Sequence, residues 1–109
     1  MAFDERLAER VRTVLAARPG VAERKMFGGI AFMVGGNMCC GVVKRDLMVR
    51  VGPDQYERLL AEPGARPMDF TGRPMKGMLY VEGAALTSAR TLAKWVRRGA
   101  EYADSLPAK

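Results

Sequence analysis

Between Val21 and Val51 the chain passes through four short apolar segments joined by links of two or three residues, and that spacing leaves few folds open. Val21–Phe27, Ile30–Val34, Met38–Val43 and Leu47–Val51 are rich in β-branched or sulfur-bearing side chains and follow a period of two, the pattern of strands rather than helices. Gly28-Gly29, Gly35-Gly36-Asn37 and Lys44-Arg45-Asp46 separate them. A parallel crossover needs about a dozen residues, so these strands are predicted to form an antiparallel meander. The glycine pairs supply the positive φ that tight hairpins demand. No GxxxxGK or GxGxxG pattern accompanies them, and no helix begins where a phosphate loop would deliver its anion, so they are read as turns and not as a nucleotide site.

Helical spacing flanks the meander. Phe3, Leu7, Val11, Val14 and Leu15 recur at helical intervals over Asp4–Ala17, with Asp4 as N-cap and Arg18-Pro19-Gly20 as the stop. Gly52-Pro53-Asp54 opens a second helix whose apolar stripe is Tyr56, Leu59 and Leu60, ended by Pro63-Gly64. Pro67–Thr71 and Gly77–Glu82 read as two further strands around the connection Gly72–Gly77, and the prolines at 67 and 74 put the first of them at a sheet edge. A last helix starts near Thr87 or Ser88 and carries Leu92, Trp95, Val96, Tyr102 and Leu106 on one face. Gly99 inside it costs about 1 kcal/mol relative to alanine and marks either close packing against the sheet or a helix end. The order α, three or four strands, α, two strands, α predicts a two-layer α+β fold: an antiparallel sheet, meander plus hairpin, backed by helices.

At 109 residues, 49% hydrophobic and 28% charged, the chain reads as one globular domain over residues 1–109. No stretch approaches the roughly 20 apolar residues of a membrane span, and Asp4 and Glu5 stand where a signal peptide would be basic; a cytoplasmic location is expected. The two cysteines, Cys39 and Cys40, are adjacent, a poor geometry for a mutual disulfide, and are expected to be reduced.

The chemistry available is narrow. Histidine is absent, which removes Ser-His and Cys-His nucleophiles and most zinc sites. The carboxylates are scattered, and Asp4, Glu5, Glu9, Asp54 and Glu57 are accounted for by capping and solvation of the first two helices. Asp69 and Glu82 flank the Gly72–Gly77 turn, where a structural role in pairing its cations is preferred to catalysis. Cys39 and Cys40 are expected on opposite faces of one strand, so that at most one is core, and no nearby cation activates either. No catalytic residue, metal or cofactor is predicted.

A sheet backed on one side alternates apolar and polar residues along each strand, and here the alternation is incomplete. Ile30, Phe32 and Val34 are opposed by Ala31 and Met33; Met38, Cys40 and Val42 by Cys39 and Val43; Leu47, Val49 and Val51 by Met48 and Arg50. The second face is therefore semi-apolar and methionine-rich, and self-association as a homodimer, or a protein partner, is expected there. Cover by loops and terminal segments is the alternative.

The formal net charge of +6 favours polyanions or an acidic partner. On the last helix Arg90, Lys94, Arg97 and Arg98 fall within an arc of about 100° opposite the apolar stripe. Arg24, Lys25, Arg66, Arg73 and Lys76 lie at or near two glycine-bracketed segments, where a rigid, exposed platform suits recognition. Base stacking would want aromatic residues beside these cations; Phe27, Phe32, Phe70 and Tyr80 are the candidates, most of them better explained as core.

Those two segments carry more than charge. Arg24-Lys25-Met26-Phe27-Gly28-Gly29, running on to Phe32-Met33, and Gly72-Arg73-Pro74-Met75-Lys76-Gly77 set cations, methionines and conformationally special residues side by side. In this order they resemble the RKMFGG-type and GRPMKG-type motifs of the TfoX (Sxy) family N-terminal domain, with Gly28, Gly29, Gly72, Pro74 and Gly77 as its structural turns. The resemblance covers about Leu7 to Leu106 and implies a stand-alone form of that domain, with a fold similar to secretion chaperones. It also implies a non-enzymatic regulatory or adaptor module acting by protein–protein contact, with a link to bacterial competence or transcription. The alternative reading is a small basic nucleic-acid binder, which would lose affinity steeply with salt where an apolar interface would not.

Overall fold

The computed structural model describes residues 3–26, 28–68 and 77–108. The first helix, α1 (Glu5–Leu15), begins where expected because the Asp4 side chain accepts a hydrogen bond from the Leu7 N–H at 3.0 Å, satisfying one of the open donors of the first turn. Leu7, Ala8, Val11 and Leu15 share the buried face. Four strands follow, β1 (Val21–Met26), β2 (Gly29–Val34), β3 (Asn37–Val43) and β4 (Asp46–Arg50), then α2 (Pro53–Leu60), β5 (Ala65–Pro67), β6 (Met78–Val81), a 3-10 turn at Gly83–Ala85, and α3 (Ala89–Asp104).

All pairings are antiparallel and the sheet order is β1-β2-β3-β4-β6-β5. The meander and the addition of two further antiparallel strands are as the sequence predicts, and the proline-bearing strand β5 lies at an edge, but it occupies Ala65–Pro67 and shares only Pro67 with the strand expected over Pro67–Thr71, of which residues 69–71 lie outside the described residues. The links are tighter than expected. Residues 35–36 and 44–45 alone join their strands, so Asn37 and Asp46 already belong to β3 and β4. Asn37 is only 3% exposed and its amide donates to the Pro107 carbonyl at 2.9 Å, which meets its polar demand without water.

One sheet face meets all three helices. Ile30, Phe32, Cys40, Val42, Leu47, Val49, Leu79 and Val81 form the core with Leu92, Trp95, Val96, Ala100 and Ala103 of α3, and with Tyr56 and Leu59 of α2. Each large side chain buried there contributes about 1.5–3 kcal/mol. Leu60 and Val14 only flank this core, Tyr102 is half-buried, and Leu106 lies beyond the end of α3. Gly99 is mid-helix, and close packing is its reason: a Cβ there would collide with the Cys39 carbonyl oxygen, 3.1 Å from its carbon and 3.3 Å from the Cys39 sulfur.

The expectation that Cys39 and Cys40 occupy opposite faces is wrong, and the register says why. Phe32 pairs with Cys40 but Met33 pairs with Met38, so Cys39 is an extra residue in β3. Such a bulge interrupts the period of two and turns two successive side chains to the same side. Both cysteines are fully buried free thiols within the core. The Cys39 thiol lies 3.6 Å from the Val96 carbonyl of α3.

Candidate interaction surface

The outer face of the sheet is organised by one row of paired residues. Arg24, Ala31, Gly41, Met48, Tyr80 and Arg66 stand opposite one another from β1 through β2, β3, β4 and β6 to β5. Met48 Cε would touch a Cβ on Gly41 at 2.9 Å, so glycine here makes room for the methionine. Met48 is 1% exposed and Ala31 fully buried. The expected exposure of the whole methionine face is therefore corrected at its centre. Met33 and Val43 of that face are half-buried, as is Met78 of β6; Met38, expected on the opposite face with Cys40 and Val42, is turned to this one by the bulge, pairs with Met33 and is also half-buried.

The signature cations separate along this row. Arg24 and Lys25 lie on β1 and Arg66 on β5, the two edges of the sheet, five strand spacings or about 24 Å apart. Arg24 and Lys25 are exposed, and neither has an ion pair among the described residues. Arg66 is anchored instead: it pairs with Asp46, approaches Glu82 at 3.9 Å, and stacks its guanidinium 4.8 Å above the Tyr80 ring. Gly28 has the positive φ of +73° that its turn needs, whereas Gly29 lies within β2, where a Cβ would strike the Val42 carbonyl oxygen. Of the second motif, Gly72, Arg73, Pro74 and Lys76 lie outside the described residues, as do Asp69, Phe70 and Phe27. Gly77 closes it with a φ of +98°, its carbonyl accepting the Val51 and Gly52 N–H groups at 2.8 and 3.0 Å.

The cations of α3 divide as well. Glu62, just beyond α2, accepts from Arg98 Nη1 and Nη2 at 3.0 and 2.8 Å and from Lys94 Nζ at 3.1 Å. Arg98 also lies 4.6 Å over the Trp95 ring. The Arg98 guanidinium, with help from Lys94 and against partial desolvation, holds the Glu62 carboxyl below the usual carboxylate range. This cluster ties α2 to α3. Arg90 and Arg97 are exposed and carry no ion pair among the described residues.

A feature that sequence reasoning missed is a cleft of about 430 Å3 where α1, the β3–β4 turn, β5 and the 3-10 turn converge. Arg6, Arg10, Arg45 and Arg66 reach it with Asp4, Asp46 and Glu82. The Asp4 N–H donates to the Lys44 carbonyl at 2.6 Å, fastening α1 to the β3–β4 turn. Only the i, i+4 spacing of Arg6 and Arg10 was legible beforehand; Arg45 joins them through topology. The glutamate bridge at Glu62 was equally hidden, since a lone carboxylate before Pro63-Gly64 carries no motif.

Among the described residues no group of three or more histidine, cysteine or carboxylate side chains is placed to hold a metal ion. None of the described helices is long and apolar enough to cross a membrane. The model of the TfoX N-terminal domain family matches residues 13–103, a span that holds both glycine-bracketed motifs and every element from the end of α1 to the last turn of α3. The chain belongs to the TfoX N-terminal domain family. A regulatory, competence-related domain is the coarse role this membership supports. No curated protein and no solved structure matches the chain significantly. Of the cleft cations, Arg45 and Arg66 fall within the TfoX N-terminal span, while Arg6 and Arg10 precede it.

Proposed function

We propose that this protein is a non-enzymatic, cytoplasmic regulatory module that works by protein–protein contact through the outer face of its sheet, in the competence or transcription setting of its family. The observation that carries this reading is the methionine pair Met33 and Met38, which stand opposite each other on β2 and β3 and are only half-buried on the face away from the core. Methionine is flexible and polarisable, and surfaces built from it adapt to a partner's shape. The non-enzymatic reading draws on chemistry: histidine is missing from the chain and both thiols are buried, which takes away His-activated and cysteine nucleophiles.

The alternative, a nucleic-acid binder, draws on Arg24, Lys25, Arg90 and Arg97, because Lys94 and Arg98 are already engaged by Glu62. One experiment separates the two. Cross-linking and light scattering, with and without nuclease-treated extract from the source cells, are compared for the parent and Met33→Lys/Met38→Lys, alongside anisotropy of labelled DNA and RNA over a salt series. A salt-tolerant protein complex, or a dimer, that the methionine variant abolishes supports the module. Steep, salt-sensitive nucleic-acid binding that is weakened by Arg90→Gln/Arg97→Gln and indifferent to the methionines overturns it.

A further inference from the structure

The cleft beside α1 holds more positive charge than the fold uses. Its three carboxylates are already engaged. Asp4 caps α1 through the Leu7 N–H, Asp46 pairs with Arg66, and Glu82 lies 3.9 Å from the same guanidinium. Arg6, Arg10 and Arg45 have no carboxylate partner among the described residues. Arg6 and Arg45 are exposed, and Arg10 is held in place by the neutral carbonyls of Leu86 and Thr87, which accept from its Nη2 at 2.7 and 3.5 Å.

Arg10 thereby ties α1 to the segment ahead of α3, but the charges of the three guanidinium groups are not neutralised within the fold. Arg6 and Arg10 stand one turn apart on α1, and like charges at that spacing destabilise a helix by a few tenths of a kcal/mol. Arg45 adds a third cation from the β3–β4 turn, whose carbonyl is packed so closely by Gly83 that a side chain there would collide with it. The backbone presenting these guanidinium groups is therefore fixed on two sides. A planar guanidinium presents paired donors that match a carboxylate or phosphate fork.

We propose that this cleft binds an acidic segment of a partner protein, with Arg6, Arg10 and Arg45 receiving aspartate or glutamate carboxylates. The inference rests on the reading of the protein as a protein-binding module and adds a second, charged contact to it. Two features favour a peptide over other anions. Asp4, Asp46 and Glu82 interrupt the positive surface, which repels the continuous charge of a phosphate backbone but leaves room for single carboxylates between them. The cations come from separate segments of an open surface, where one small anion would be weakly held but a chain that meets several arginines gathers their contributions.

The test is anisotropy of a short, end-blocked, fluorescent peptide whose glutamates are separated by neutral serine and glycine residues, against the full chain at low salt, with the same peptide carrying glutamine for glutamate, inorganic phosphate and a short DNA duplex as comparators. The spaced-glutamate peptide binds and its glutamine counterpart does not. Arg6→Gln/Arg45→Gln, both exposed positions, weakens binding by about tenfold or more, while Arg18→Gln/Arg58→Gln, which removes equal charge outside the cleft, leaves it unchanged. Equal loss in both variants, undiminished binding to the cleft variant, or no binding at all overturns the proposal. So does displacement of the peptide by phosphate or the duplex at lower concentration. The methionine-face complex is read with different variants, so either contact can fail without the other.

Discussion

Gly99→Ala tests the seating of α3 on the sheet. In an ordinary helix interior alanine is favoured over glycine by about 1 kcal/mol, so an unpacked site would gain stability. At Gly99 the new methyl would collide with the Cys39 carbonyl oxygen, lie 3.1 Å from the carbonyl carbon and 3.3 Å from the sulfur, all inside the ~3.5–4.0 Å of good carbon contacts. The obstacle is backbone in a central strand, not a side chain that can rotate. Overpacking of this kind costs about 3 kcal/mol at the upper end of its usual range, and the helix-propensity gain offsets about 1 of that. A net loss of about 2 kcal/mol lowers the melting temperature by about 8 °C for a domain of this size. Thermal and urea unfolding followed by circular dichroism reads the change. Ala93→Gly on the same helix calibrates the propensity and is expected to lose about 1 kcal/mol. If Gly99→Ala is as stable as the parent or more so, α3 does not lie against β3 as described.

Glu62→Gln is expected to cost about 1 kcal/mol at neutral pH by weakening a partly exposed ion-pair network. The folded-state carboxyl is depressed below the ordinary 4.5, so its contribution is complete above that pH and fades as pH falls through the folded value; urea unfolding between neutral and acidic pH should show a smaller decline in the variant than in the parent. Native protein should react with a thiol reagent only as fast as it unfolds, because the neighbouring Cys39 thiol and full burial push the Cys40 thiol well up. Rapid labelling of native protein would refute the buried bulge.

The meander strands, the antiparallel order and the edge position of Pro67 were legible because short glycine-punctuated links and a period of two admit one topology, whereas β5 was expected over Pro67–Thr71 and lies at Ala65–Pro67. The bulge was not, since Cys39-Cys40-Gly41 is apolar in either phase and one inserted residue leaves no mark in composition. The same extra residue explains why the cysteines defied simple alternation while Ile30, Phe32, Leu47 and Val49 obeyed it. For the interaction surface, sequence named cations by clustering along the chain. The fold redistributes them: Arg66 is bound by Asp46, Lys94 and Arg98 by Glu62, and Arg24 sits across the sheet from Arg66. Arg6 and Arg45 are far apart in sequence and meet only because Asp4 is fastened beside Lys44. Long-range charge pairing is set by topology, and a local motif cannot encode it.

The two fastenings at β3 have a mechanical meaning. Asn37, at its start, grips Pro107, while Lys44, just past its end, receives the Asp4 N–H. Residues 4 and 107 are thereby fixed near opposite ends of a seven-residue strand, on the order of 24 Å apart. Each attachment is a single hydrogen bond, and each is made to the strand that β2 and β4 hold from both sides. Pulled from these two points, the segments around residues 4 and 107 should come away first, at low force, leaving the clamped strand in place.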